Sequence, residues 1–346
     1  MMYRFSKIII AATLILQACW LLPWCYSFCF SSSSFTPFTL YSPVVGDFVS
    51  MTYDEKPGYM SKDMAGNYYT ESQTDSIMPF FYVRQLVSDE RFPDSIKGVP
   101  VTPHQVRMSN IIFRTNASDI NKPIIGLYPL LESKSKRVDL VMSEDVFRTT
   151  PQGMEFIVMN TNQIDEAKSK LFTETMKNKG FAFPAQLVVG NPNTQKEYDE
   201  GYLMLDAEGK LFHLKRICNR PFVRAISLPE GIRVKHMFIT EFNSRATLGY
   251  LFDENNQMYV LRSGSYEIVK TGIPSLNPAQ QSFMIIGNMM TWTVRVSAED
   301  SEDFYALDAE DYHLIKKTSF PSRSTGFSIL SFTSYKDKFI KARFFE

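Results

Sequence analysis

The sequence is poor in the residues with which most enzymes work. It has four cysteines and four histidines in 346 residues, and 37 basic and 37 acidic side chains leave no net charge. A neutral chain has no overall attraction for nucleic acid, so we expect no nucleic-acid partner. No HExxH, CxxC, GxSxG, GxGxxG or P-loop pattern occurs, so the usual signatures of metal-dependent, nucleophilic and nucleotide-dependent catalysis are missing. We therefore expect no catalytic residue, no metal and no cofactor.

Cysteine is almost absent from the body of the chain. Cys19, Cys25 and Cys29 lie in or beside the N-terminal apolar segment, and Cys218 is the remaining one. One thiol cannot form an internal disulfide, so the domain must be stabilised by its core even in an oxidising compartment.

The N-terminal segment is the most informative stretch. Arg4 and Lys7 precede 23 residues, 8–30, without a charged side chain, which is long enough to cross a bilayer. The next basic residue is Lys56, so the positive-inside rule predicts a single-pass signal anchor over 1–30 with a cytoplasmic N-terminus and an exported remainder. Two alternatives stay open. In the first, the segment is a signal peptide that is cleaved off. In the second, "LQAC", residues 16–19, is a lipobox and Cys19 carries a lipid.

A short polar linker over 31–40 leads into one exported domain, 41–346. Three stretches of this domain read as hairpins, near 201–216, 248–263 and 303–317. In each, an aspartate opens a type I turn and a residue that tolerates positive φ follows three positions later. These turn residues are Asp206 and Gly209, Asp253 and Asn256, and Asp308 and Asp311.

The helical signals are fewer. A helix is predicted near 163–179, with Asn162 as N-cap, Gly180 as terminator, and a buried face of Ile164, Ala167, Leu171 and Met176. A second helical stretch, 71–88, should be divided by Pro79. The sequence therefore predicts a mainly β fold with a few helices: a transmembrane helix followed by a β-propeller-like repeat domain. A β-sandwich or stacked meanders of α+β type is the alternative.

Few residues are candidates for chemistry. His213 and His313 occupy equivalent places in their hairpins, where the middle copy has Val260, so we interpret both as structural. Ser95 and Ser76 each lie in an Asp-Ser-Ile triplet, a candidate O-glycosylation pattern of Gram-negative envelope proteins.

Several phrases resemble one known family. "PFTLYSPVVGDF", "FYVRQLVSDERFPDSIKGVPVTP", "IGLYPLLESKSKRVDL" and "KEYDEGYLMLDAEGKLFHLK" resemble the DUF4857 family of uncharacterised bacterial proteins, and the resemblance covers nearly the whole chain. It implies an inner-membrane protein with a periplasmic domain, and it suggests ABC-transporter subunits as partners. It brings no catalytic residues.

Three functions follow as hypotheses. The first is a non-enzymatic, membrane-anchored periplasmic protein that acts as a binding or accessory subunit, with an exposed apolar patch for its partner. The second is a protein that binds an envelope glycan or another small ligand in a cleft lined by aromatic side chains. The third is a hydrolase, which requires carboxylates or histidines that converge in a cleft.

Overall fold

The computed structural model describes residues 2–30, 36–54, 58–134, 139–298, 301–321, 330–331 and 343–344. The first part of the predicted linker, 31–35, therefore lies outside the described residues. The helices are α1 (Met2–Phe30), α2 (Glu71–Ile77), α3 (Val83–Ser88), α4 (Pro103–Ser109), α5 (Ala117–Ile120) and α6 (Glu166–Asn178).

The N-terminal helix α1 is separate in character from the others. Its segment Arg4–Leu22 has a mean hydropathy of 1.9, and none of that segment is buried against the rest of the chain. By length and composition the segment is able to cross a membrane, and a signal sequence has the same properties.

Most of the remaining chain forms five antiparallel sheets, in which consecutive strands pair with one another. Sheet 1 contains β1 (Phe38–Ser42), β2 (Asp47–Asp54), β3 (Gly58–Asp63) and β4 (Tyr68–Tyr69). Sheet 2 contains β8 (Tyr128–Pro129), β9 (Asp145–Thr149), β10 (Met154–Val158) and β11 (Gln163–Ile164). Sheet 3 contains β12 (Leu187–Gly190), β13 (Tyr202–Leu205), β14 (Leu211–Ile217) and β15 (Arg220–Ile226). Sheet 4 contains β16 (Val234–Ile239), β17 (Thr247–Asp253), β18 (Met258–Arg262) and β19 (Ile268–Lys270).

Sheet 5 has a fifth strand taken from much earlier in the chain. It contains β20 (Ser282–Gly287), β21 (Thr291–Ser297), β22 (Ser301–Asp308) and β23 (Leu314–Pro321), and β7 (Ile111–Thr115) pairs with the edge of β20 that is not paired with β21. Two small ribbons complete the strands, β5 (Ser95–Ile96) with β6 (Val99–Pro100), and β24 (Leu330–Ser331) with β25 (Arg343–Phe344).

The sheets pack face against face in the order 2, 3, 4, 5, 1. Each interface is a cluster of buried apolar side chains, for example Phe156 with Met204, Leu203 with Met237, Phe252 with Phe283, and Phe48 with Phe304. A sheet covered on both faces needs apolar residues at successive positions, which is why all seven residues of β17 are buried. Successive meander sheets packed in this way form a β-propeller-like fold. The predicted mainly β, propeller-like fold class is confirmed.

The aspartates at the hairpin turns cap the backbone. Asp206 Oδ1 accepts the N–H groups of Glu208 and Lys210, both at 2.8 Å, and Gly209 has φ of 80°. Asp253 Oδ1 accepts the N–H of Gln257 at 2.9 Å, and Asn256 has φ of 60°.

The third turn differs from the expectation for Asp311. There the positive φ, 62°, belongs to Tyr312. The ladder bond at this turn joins Asp308 N–H to the His313 carbonyl, so the loop is one residue longer than the turns that open at Asp206 and Asp253. The register of β22 and β23 also shifts between Ala306 and Leu307. The longer loop moves the left-handed position one residue further along.

Helix α6 corrects the prediction for 163–179. Its N-cap is Asp165, whose carboxylate accepts the N–H of Lys168 at 3.0 Å, and Asn162 instead forms a turn with φ of 54°. The buried positions are Ser169, Phe172 and Met176, while Leu171 is 45% exposed. Three residues of the predicted buried face, Ile164, Ala167 and Leu171, are therefore exposed, and Met176 is the member of that face that is buried. The predicted division of 71–88 does occur, between α2 and α3.

Candidate functional site

A cleft of about 870 Å³ lies where the innermost strands of four sheets meet. Strands β7, β8, β12 and β16 supply its walls, together with the segments 119–127 and 191–196. We call it the central cleft. Clefts of this volume at the centre of a sheet assembly are common ligand or partner sites.

Aromatic side chains form much of the wall of the central cleft. Phe113 of β7 and Phe238 of β16 meet edge to face, with ring centroids 5.5 Å apart. Tyr128 packs edge to face on Tyr202 at 5.7 Å, and the Tyr202 hydroxyl donates to the Pro129 carbonyl at 2.6 Å. Burial raises the pKa of both tyrosines. Both phenols are therefore neutral at physiological pH and serve as packing and hydrogen-bonding groups.

A buried ion-pair cluster fixes one end of the central cleft. The Lys196 ammonium lies 2.7 Å from Asp199 and 2.5 Å from Glu241, and all three side chains are almost wholly buried. Glu241 also accepts the backbone N–H of Glu200 at 2.8 Å and the Asn191 amide at 2.9 Å. Burial raises the pKa of Asp199, and the Lys196 charge opposes that rise. The cluster joins the segment 191–200 to the end of β16.

One polar atom in the wall of the central cleft has no protein partner. His236 lies on β16, and its Nε2 is buried without a hydrogen-bond partner among the described residues. Burial, and then the nearby Lys235, lowers the pKa of His236. The imidazole is therefore neutral at pH 7 and can still donate or accept one hydrogen bond.

Exposed aliphatic side chains border the central cleft. Ile124, Ile125 and Leu127 follow α5 in a segment without regular secondary structure, and Ile125 is 87% exposed. Gly126, with φ of 77°, turns the chain between them. We call these three residues the aliphatic rim. Three large apolar residues exposed within four positions are typical of a contact surface.

The predicted site residues lie elsewhere. Cys19 lies in α1, and Ser95 and Ser76 are both exposed, the latter with its hydroxyl donating to the Ser72 carbonyl at 3.1 Å. None of the three lines the central cleft. Their modification stays a prediction.

The histidines do not converge. His213 is buried in sheet 3, where Nδ1 lies 2.9 Å from the Tyr266 hydroxyl and Nε2 lies 2.5 Å from the Glu200 carbonyl. Burial lowers the pKa of His213 to about 4. His313 is exposed and bonded to Asp311 at 2.5 Å, which raises the pKa of His313. With Asp308 these two residues form a group that could hold a metal ion, although exposed acidic groups of this kind are common without one.

The ion-pair cluster and His236 were missed by sequence reasoning. Lys196 and Glu241 are distant in the chain, and no local pattern marks either residue. They meet because β12 and β16 are neighbouring inner strands. The aliphatic rim did carry a signal in the sequence, because "PIIGL", residues 123–127, places three large apolar residues around a glycine.

These features define the class of the protein: a β-propeller-like domain whose inner strands enclose an open cleft, preceded by an apolar helix. The chain belongs to the family described as "Domain of unknown function (DUF4857)", whose model matches residues 38–307. The match confirms the resemblance seen in the sequence. No curated protein matches the chain.

Several solved structures show distant similarity. One is PorZ, a surface component of the type-IX secretion system of Porphyromonas gingivalis, with 14% identity and a TM-score of 0.27 over 87% of this chain and 28% of that one. Apo AztD from Citrobacter koseri gives 12% identity and a TM-score of 0.29 over 83% and 72% of the two chains. The Dos1 propeller gives 10% and 0.29 over 51% and 45%. At these TM-scores the similarities carry no argument about function.

Proposed function

We propose that this chain is a non-enzymatic binding protein, anchored in the inner membrane by α1, that holds a partner protein at the central cleft on the periplasmic side. The observation that carries the proposal is the aliphatic rim. Isolated exposed apolar residues are ordinary on protein surfaces, but adjacent ones beside a large cleft mark a contact surface. The rim fits the apolar patch expected for an accessory subunit.

The proposed partner is a membrane complex, with the subunits of an ABC transporter as the first candidates. The support for that choice is the family resemblance. A membrane-anchored domain also binds a partner in the same bilayer more tightly, because anchoring both proteins in one membrane raises their effective concentration for each other.

The non-enzymatic role is supported by how the charges at the central cleft are used. Asp199 and Glu241 are both held by Lys196, and Asp119 is held by Lys122 at 2.6 Å. The two buried carboxylates, Asp199 and Glu241, therefore serve structure, whereas Asp119 forms an exposed ion pair. The alternative, a hydrolase of unknown specificity, would need two further carboxylates in the central cleft that are free to approach a substrate.

A photo-crosslinking experiment tests the proposal. The photoreactive amino acid p-benzoylphenylalanine replaces Ile125 in one variant, because Ile124 and Leu127 on either side of it line the central cleft. It replaces Val141 in a matched control, since Val141 is 72% exposed and neither it nor its neighbours in sequence line the central cleft. After irradiation of native membranes, mass spectrometry should find transporter subunits crosslinked at position 125 and not at 141. Identical products from both positions, or none from 125, would contradict the proposal.

A second candidate function is binding of a glycan or another small ligand inside the central cleft. It is favoured by the unpartnered His236 Nε2 beside the aromatic wall. Trp292 is buried beside Tyr250 and Tyr312, so stacking on a sugar would depend on Tyr128. A ligand that raises the melting temperature of the wild type, but not of a Tyr128→Ala variant, would establish this function. A ligand that stabilises both equally would bind elsewhere.

A further inference from the structure

A second, smaller pocket lies where the chain leaves the anchor. It has a volume of about 220 Å³ and does not include the aliphatic rim, although Ile112 lines both this pocket and the central cleft. Leu40 of β1, Met78, Ile111 and Ile286 are among its walls, and Phe81 and Ile112 form its exposed edge. We call it the alkyl pocket.

The polar groups of the alkyl pocket already have protein partners. Thr293 Oγ1 accepts the backbone N–H of Tyr41 at 2.9 Å. Asn288 Oδ1 accepts the N–H groups of Met290 and Thr291 at 2.8 and 3.0 Å, and the Asn110 amide donates to the Phe80 carbonyl at 3.5 Å. Such a pocket offers a ligand mainly apolar contact, so it selects an apolar group.

The volume sets the size of that group. An engineered apolar cavity of about 150 Å³ takes up benzene. At about 220 Å³, the alkyl pocket has room for a longer hydrocarbon, such as the end of one alkyl chain. The exposed edge also needs a hydrophobic neighbour, because Phe81 is 47% exposed and Ile112 is 70% exposed.

The position of the alkyl pocket points to the bilayer as the source of the chain. Helix α1 ends at Phe30 and β1 begins at Phe38, and the seven residues between them span at most about 25 Å. The Phe81 ring packs on the Phe38 ring at 5.5 Å, so the edge of the pocket lies beside the point where the domain is tethered. The bilayer lies beside this point because α1 is the membrane anchor of the proposed function, on which this inference rests.

We propose that the alkyl pocket binds one acyl chain of a membrane lipid and so seats the domain on the bilayer next to its anchor. Phe81 and Ile112 contact the chain where it leaves the membrane interface. Leu40, Met78 and Ile286 surround its end. The face of the domain that carries the alkyl pocket then lies against the bilayer. The lipid contact and the tether together set the orientation of the domain.

Lipid photolabelling tests this inference. Full-length protein is reconstituted into vesicles of phosphatidylethanolamine and phosphatidylglycerol that contain a phospholipid with a diazirine at the end of one acyl chain. After irradiation, peptide mass spectrometry should find label on the segments 78–81 and 110–112 as well as on α1. Because the vesicles contain no other protein, label in the pocket assigns the bilayer as the source, rather than a lipidated partner.

Matched variants and an internal standard separate the outcomes. Ile112→Glu and Phe81→Ser should each reduce pocket label at least five-fold relative to α1 label. Val141→Glu, at an equally exposed site outside the pocket, should leave it unchanged. Label on α1 alone, or equal pocket label in all variants, would overturn the inference and leave the anchor intact. Absence of label on α1 would overturn the anchor and this inference together.

Discussion

The buried His213 makes the stability of the protein depend on pH. Its folded-state pKa is about 4, whereas an unfolded histidine has a pKa of about 6.5. The unfolded state therefore binds a proton first as the pH falls. The stabilisation is complete above about pH 6.5 and is lost progressively toward pH 4. At 1.36 kcal/mol per pKa unit the total is about 3 kcal/mol, of which about 2 kcal/mol is lost by pH 5.0.

The assay is urea unfolding of the full-length protein in a non-ionic detergent, followed by near-UV circular dichroism at pH 7.5 and 5.0. His213→Gln keeps a donor for the Glu200 carbonyl but removes the titration. The wild type should therefore lose about 2 kcal/mol more than this variant between the two pH values. His313→Gln is the control, because His313 is exposed and its pKa is raised by Asp311, and it should not flatten the pH dependence. Equal losses in wild type and His213→Gln would refute the reasoning.

Three further predictions concern packing and backbone. Lys196→Met leaves two buried carboxylates without their cation and should lower the free energy of unfolding by about 3–5 kcal/mol. The exposed Lys170→Met should lower it by less than about 0.5 kcal/mol. Urea unfolding at pH 7.5 measures both variants, and similar losses would contradict a buried cluster. Phe172→Ala should lower the free energy of unfolding by about 3–5 kcal/mol, and Leu171→Ala should lower it by less than about 1 kcal/mol. The reverse order would show that the face of α6 predicted from the sequence is the buried one. Gly209→Ala should cost about 1–2 kcal/mol, since the backbone there has φ of 80° although the space for a Cβ is open; a neutral result in thermal unfolding would argue against this turn.

Local chemistry in the sequence was enough to predict the fold class. An aspartate at a turn accepts nearby N–H groups whatever surrounds it, so Asp206 and Asp253 could be recognised from their neighbours alone. The turns do not occur at the same position in each sheet, however. In sheets 3 and 4 they join the second and third strands, whereas the turn at Asp308 joins the last two strands of sheet 5.

Tertiary contacts decided what the local pattern could not. The start of α6 moved because Ile164 pairs with Ile157 across β10 and β11, which keeps 163–164 extended. Its buried face is set by Phe172, whose ring packs on Phe156 at 4.7 Å. Helical periodicity alone predicted a face that includes Ala167 and Leu171, whereas packing on the sheet buries the face that carries Phe172.

The candidate site was still less predictable. Lys196, His236 and Glu241 are brought to one cleft by the packing of separate sheets, and each is an ordinary polar residue in its own stretch of sequence. Nothing short of the sheet arrangement places them together.

The pairing of β7 with β20 also sets the order in which the domain can be completed during synthesis. Ile111 can pair only after Gly287 has been synthesised, roughly 180 residues later. At ribosomal rates of about 5–20 residues per second this takes on the order of ten to thirty-five seconds. During that interval β7 is an unpaired strand with an open edge. A nascent chain that stops before residue 282 therefore exposes an unpaired strand edge, and chaperones that bind exposed strands would bind at residues 111–115.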